Sequence, residues 1–116
     1  MSNCILNTEN IDFGTGSSAV QVLTFTNTSN VTIDVDAEFI NLQPDGPSGP
    51  HFKFDVFSPP LPFENLNPDG DLVLVLDFLC NLAAETGESF NGFLIITVNG
   101  EPAECGPVFL NAICGP

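Results

Sequence analysis

The sequence predicts an all-β sandwich, and three observations carry that prediction. Apolar residues recur with a period of two almost throughout, with no convincing helical stripe anywhere in the chain. Ten glycines and ten prolines punctuate short runs rich in β-branched residues and phenylalanine. Seven such runs fit in 116 residues, the count and length of an immunoglobulin-like seven-stranded antiparallel β-sandwich. A chain of this length has material for one core and no second lobe, so residues 1–116 are read as a single domain.

The elements follow in order. Strand A runs from Cys4 to Phe13, with a break near Thr8-Glu9, and stops at Gly14-Thr15-Gly16. Strand B is Ala19 to Thr26, with Val20, Val22, Leu23 and Phe25 as core candidates, and Asn27-Thr28-Ser29-Asn30 turns the chain. Strand C is Val31 to Leu42. Its Val31, Ile33, Val35, Ala37 and Phe39 share one face, and Thr32, Asp34, Asp36 and Glu38 the other. A Pro/Gly loop leads to strand D, His51 to Phe57, with Phe52, Phe54 and Val56 on one face. A proline-rich connection spans residues 58–67, and Pro68-Asp69-Gly70 is a turn by composition. Strand E is Asp71 to Cys80, and a polar loop reaches Ser89. Strand F is Phe90 to Val98, closed by Asn99-Gly100, and strand G is Pro107 to Ile113.

Several of these segments carry a family pattern. Ile11-Asp12-Phe13-Gly14 precedes a strand that ends in Asn27-Thr28. Asn67-Pro68-Asp69-Gly70-Asp71, Leu74-Val75-Leu76-Asp77-Phe78 and Gly92-Phe93-Leu94-Ile95-Ile96 follow. In this series the chain resembles the Hydin-type (ASH) immunoglobulin-like domain, related to the major sperm protein and PapD-like sandwiches, over nearly its whole length. The resemblance implies a binding or scaffolding module with no catalytic residues. Leu79-Cys80 stands where the family usually has a proline, and four cysteines are no general feature of it.

The cysteines are Cys4, Cys80, Cys105 and Cys114. They lack the close C-x₂₋₄-C spacing of structural zinc sites, which leaves free buried thiols or disulfides. Cys105 and Cys114 flank strand G, so extended chain holds them roughly 30 Å apart, beyond the reach of a disulfide. In an immunoglobulin-like topology strand A begins at the end where G begins, and E and G finish together at the other. That arrangement favours Cys4–Cys105 and Cys80–Cys114. Such bonds require an oxidising place: outside a cell, in a periplasm, or on a virion after release.

Charge excludes whole classes of partner. Fifteen acidic residues face one lysine and no arginine, a net charge of -14. Nucleic acid and anionic membranes both require basic residues. Eleven phenylalanines with no tryptophan or tyrosine weaken a lectin-like reading. Met1-Ser2-Asn3-Cys4 has neither the basic start nor the apolar core of a signal peptide.

Candidate chemistry is sparse. No nucleophile motif, phosphate loop or metalloprotease motif is present, so an enzyme is not expected, and neither is a cofactor. His51, the one histidine, follows a loop proline and reads as a solvated strand-end residue. Asn67, Asp69 and Asp71 vaguely resemble part of a calcium loop, but the order is wrong and no bidentate Glu follows, so no metal is assigned. Two glycosylation sequons, at Asn27 and Asn30, are read as chance matches. The more informative feature is the second face of strands E, F and G. Val73, Val75 and Leu79, then Phe93 and Ile95, then Phe109 are apolar residues at outward positions. Strands apolar on both faces are covered on both. Either loops such as residues 58–67 cover these faces, or a partner does. The expected role is a structural or binding protein docking on a larger protein assembly, in its most concrete form a virion decoration (cement-type) protein, with self-association of copies open. A secreted or cell-surface adhesion module and a peptide-binding scaffold acting by strand addition are the alternatives. Strand addition needs an open edge, with strands A, D and G as candidates.

Overall fold

The computed structural model describes residues 3–116. Two sheets pack face to face. The small sheet has the strand order β1 (Cys4–Leu6), β3 (Ser18–Asn27), β7 (Asp71–Leu79), β5 (Phe52–Phe54). The large sheet runs β2 (Asn10–Gly16), β10 (Val108–Cys114), β8 (Ser89–Val98), β4 (Ile33–Asn41), β6 (Phe63–Leu66), with β9 (Glu101–Pro102) paired to β8. This is the immunoglobulin-like sandwich that the period-two pattern predicts.

Strand A divides where Thr8-Glu9 suggested. Its first part joins the small sheet against β3, and its second crosses to lie parallel to β10 in the large one. That one parallel pair is a departure from the purely antiparallel sandwich of the sequence reading. It also occupies the free side of strand G: β10 lies between β8 and β2. Of the edges proposed for strand addition, G is therefore closed, and those of β1, β2 and β5 remain.

Alternation fills the core. Leu23 and Phe25 of β3, Leu72, Leu74, Leu76 and Phe78 of β7, and Phe90, Leu94 and Ile96 of β8 are all buried. Val20 and Val22, read as core, lie on the other side of β3 and are exposed, because the inward phase of this strand runs through Leu23 and Phe25. Phe13, Phe52, Phe78 and Phe90 form a chain of tilted rings with neighbouring centroids 5.3–6.2 Å apart. Such pairs stabilise beyond simple burial. Gly92 leaves room for this packing, since a Cβ there would meet the Ile40 carbonyl at 2.7 Å and the Phe52 ring at 3.3 Å.

The turn residues singled out by the family pattern meet one another. Asn27 is fully buried, and its amide donates to the carbonyls of Val31 and Leu66. Its Oδ1 accepts from the backbone N–H and hydroxyl of Ser29. Its backbone clasps the turn at residues 67–70 through Asp69 and Gly70. One buried amide thus joins the ends of β3 and β6 and two turns, a use that satisfies each buried polar atom.

Three segments correct the sequence reading. Strand β6 lies within the expected proline-rich connection; at four residues it is too short to show a period. A one-turn helix, α1 (Leu82–Glu85), interrupts the expected polar loop, capped by the Asn81 side chain, which accepts from the N–H of Ala84. Strand D stops at Phe54 rather than Phe57, and Val56 leaves the face shared by Phe52 and Phe54 to stand in solvent.

Candidate docking surface

The outer face of the large sheet is built by alternation on three adjacent strands. Phe109 on β10 pairs in register with Phe93 on β8, which pairs with Ile40 on β4. The result is an apolar row across the sheet. The rings of Phe93 and Phe109 meet edge to face with centroids 5.1 Å apart. Ile95 lies one step along β8, opposite Glu38. Ile113 on β10 and Leu42, just past the end of β4, extend the apolar area. Phe109 is 47 % exposed, Ile40 45 % and Leu42 54 %, so the described residues leave about half of each side chain open.

Carboxylates border this row. Asp34, Asp36 and Glu38 stand on the outward side of β4 and Asp12 on β2, all exposed. A shallow depression of about 180 Å³ opens between Asp36, Glu38, Ile95 and Thr97. The acidic series on strand C was legible as a solvated face. Ile40 and Leu42, which continue the same alternation, were not noted, though simple counting along the strand reaches them.

Val73, Val75 and Leu79 lie elsewhere. They project from β7 on the outer face of the small sheet, where Val75 pairs with Val22 and Val73 with Thr24. The six outward residues thus divide between opposite surfaces of the sandwich. Val20, Val22 and Val73 are exposed there, while Val75 and Leu79 are half-buried. Residues 58–67 do not shield this face as a whole. Ser58 reaches β7 only at Val75, where its hydroxyl accepts from the backbone N–H at 3.0 Å.

A carboxyl pair sits at the margin of the small sheet. Asp77 pairs in register with Lys53 of β5, and its carboxyl neighbours that of Asp55. Partial burial and then that neighbour push Asp77 up to about 6, with Lys53 acting against them. Asp55 is held below its ordinary value by the Phe57 backbone N–H and then by Asp77. The folded chain therefore keeps a proton on Asp77 that the unfolded chain releases. Stability from this group is full below pH 3.8 and is lost as pH rises through about 6. Asp77→Asn removes the charge beside Asp55. It is expected to stabilise the fold at pH 7.5 by about 1 kcal/mol, a figure discounted for solvent screening, and to flatten the fall in melting temperature between pH 5 and 7.5. Thermal denaturation followed by circular dichroism at the two pH values measures both.

His51 overturns its sequence reading. It is buried, not solvated. Its Nε2 lies 2.6 Å from Glu85 Oε2, and its ring stacks on Phe90 with centroids 4.0 Å apart. Glu85 comes from α1, and its Oε1 also accepts from the Asn81 N–H at 2.6 Å. Gly46 closes over the pair: a Cβ there would stand 2.8 Å from Glu85 Oε2 and 2.9 Å from His51 Nε2. The pair anchors the loop of residues 43–50 and the helix to the sandwich end. It faces no cleft. Asn67 and Asp69 serve a turn, and Asp71 accepts from the Thr26 hydroxyl at 2.6 Å.

The structure joins Cys4 to Cys105 and Cys80 to Cys114, with Cα separations of 5.6 and 5.9 Å. The first ties β1 to the segment before β10. The second ties the ends of β7 and β10. Disulfides of this kind belong to an oxidising environment.

Comparison with solved structures places this sandwich among ASH, major sperm protein and PapD-like folds. The ASH/PapD-like domain 7 of human CEP192 superposes with a TM-score of 0.67 at 14 % identity, covering 97 % of this chain and 85 % of that one. WR4, a C. elegans member of the MSP family, gives 0.58 at 10 % identity, covering 99 % and 100 %. The periplasmic chaperone SfaE gives 0.57 at 11 % identity, covering 97 % of this chain and 56 % of that one. No family model matches the sequence, and the search of curated proteins finds no match. The resemblance read from the motifs therefore holds at the level of fold.

Proposed function

We propose that this chain is a non-enzymatic docking module that seats on a larger protein assembly through the outer face of its large sheet. The most concrete form of that role is an accessory protein of the virion decoration type, working outside the reducing interior of a cell. The observation that carries the proposal is the apolar row in which the half-buried Phe93 lies between the exposed Ile40 and Phe109. Burying a whole side chain of this kind contributes about 1.5–3 kcal/mol. Part of each is already covered by its neighbours, so the row supplies a fraction of that per residue, enough to centre a contact. The acidic border asks for Lys or Arg on the partner. It also opposes the pairing of two such faces, so the partner is foreign.

The test is an add-back experiment. Assemblies purified from a strain lacking the chain are mixed with purified wild-type protein and sedimented. The wild type is expected to co-sediment at a fixed ratio. Ile40→Asp with Phe109→Asp should stay in the supernatant, and Val20→Asp with Val22→Asp should sediment as wild type. Equal sedimentation of the large-sheet variant sinks the proposal.

Strand addition is the second reading. The short strand β5 ends opposite Leu76 and the turn after it takes the N–H and C=O of Val75, so on that side β7 lacks a partner strand only along residues 71–74. A peptide that pairs there would protect amides of β7 without touching the row on the large sheet.

A further inference from the structure

Among the described residues, the two large apolar side chains with the greatest exposure lie on neither sheet face. Val56 is 90 % exposed and Phe57 86 %, against 57 % for the next in rank, Ile5 and Val20. They form the tip of a turn that is held at both ends. The Asp55 N–H donates to the Val75 carbonyl at 2.9 Å, and the Ser58 hydroxyl accepts from the Val75 N–H at 3.0 Å. Across the turn, the Ser58 N–H donates to the Asp55 carbonyl at 2.9 Å, and Asp55 Oδ1 accepts from the Phe57 N–H at 2.9 Å. The tip is thus pinned to β7 by two hydrogen bonds and braced across itself by two more, while its two side chains touch almost nothing. Pro59, Pro60 and Pro62 stiffen the exit.

Folding gains little from these two side chains. Small polar residues would make the same turn, and they are the usual ones there. An exposed phenylalanine on a rigid support is instead suited to recognition, because little ordering entropy remains to be lost on binding. Aromatic anchors that fill a partner pocket dominate interface energetics.

We propose that the turn of residues 55–58 is a preformed anchor, which inserts Val56 and Phe57 into an apolar pocket of a protein partner with a basic rim. Charge selects that occupant. Asp55 and Asp77 flank the tip, Lys53 is the one base nearby, and the chain carries -14. A second copy would bring the same carboxylates. The depression on its large sheet, lined by Asp36 and Glu38, is acidic as well. A lipid surface would be met by Trp, Tyr, Lys or Arg around the apolar tip, and one lysine is all that stands there. The anchor lies at the margin of the small sheet and the docking row on the large one, so this contact is additional to the one proposed above.

Photo-crosslinking tests it, with p-benzoylphenylalanine in place of Phe57 in one protein and of Phe93 in another. Both are irradiated in an extract of the producing organism. The expected result is an adduct from position 57 with a discrete protein. It should weaken as salt rises and be competed by excess wild type, but not by a Val56→Ser, Phe57→Ser double variant. That variant should keep the wild-type melting temperature, since neither side chain packs. Asp55→Ala should compete poorly although both apolar side chains remain. An adduct from position 93 alone overturns the anchor and leaves the large-sheet proposal standing. An adduct from position 57 alone supports the anchor and counts against that sheet. Adducts from position 57 to lipid or to the chain itself overturn the choice of partner, and none from either position overturns both proposals.

Discussion

Removing the Cys4–Cys105 bond is expected to destabilise the fold by about 4–5 kcal/mol on the chain-entropy account. The reason is loop length. The two residues are 101 apart in sequence, so the bond restricts nearly the whole unfolded chain. Cys80 and Cys114, 34 apart, close a shorter loop, and their loss is expected to cost about 3–4 kcal/mol. Domains of this size are stable by about 5–15 kcal/mol in total. A reductant that opens both bonds should therefore leave little of the folded state at 37 °C. Urea denaturation followed by far-ultraviolet circular dichroism, with and without dithiothreitol, measures the effect. A midpoint that ignores the reductant contradicts this account of the termini.

Glu85→Ala is the second large effect. The substitution leaves the buried His51 Nε2 and the part-buried Asn81 N–H without their acceptor. Leaving a buried polar group without its partner costs about 1–3 kcal/mol. Glu85→Gln, which keeps an acceptor for Asn81, should cost clearly less. Gly46→Ala should resemble Glu85→Ala in direction, because its methyl group displaces the same two side chains. The Asn81 N–H above all, with His51 adding to it against the effect of burial, holds Glu85 below its ordinary value of 4.5. A lowered carboxyl contributes stability above that ordinary value and loses it as pH falls through the folded one. The wild type should thus lose stability in that acid range, and Glu85→Gln should lose less of it. Urea midpoints at pH 7 and pH 3.5 test the pair.

The sandwich was legible because alternation reports directly on burial. Ile33 to Phe39 alternates apolar and acidic residues in the sequence and is a long strand of the structure, while Leu72 to Phe78 and Phe90 to Val98 are nearly continuous apolar runs whose burial alternates. Short elements left no such record. Strand β6 and helix α1 have four residues each, less than either period needs to show itself. His51 was misread because its partner lies 34 residues further along, on the helix that the sequence did not reveal. Val56 was misplaced because alternation continues through Asp55 on paper, whereas the Asp55 side chain bonds its own backbone two residues on and turns the strand aside.

The candidate surface was half legible for a related reason. Period two tells which side of a strand is outward, and Phe93, Ile95, Phe109, Val73, Val75 and Leu79 are all outward residues. It does not tell which sheet a strand joins. Pairing put β7 with β3, and β8 with β10 and β4, so residues read as one second face became two opposite ones. Ile40 belongs to the surface only through its register with Phe93, a contact between strands more than fifty residues apart in sequence.

Hydroxyl-radical footprinting of the chain, free and seated on its assembly, tests the central claim most directly. The account predicts that Ile40, Leu42 and Phe109 oxidise readily in the free protein, the half-buried Phe93 less so, and that all four are protected when it is bound. Val20 and Val22, on the opposite sheet, should oxidise equally in both states. Protection confined to the small sheet, or none on either, would contradict docking through the large one.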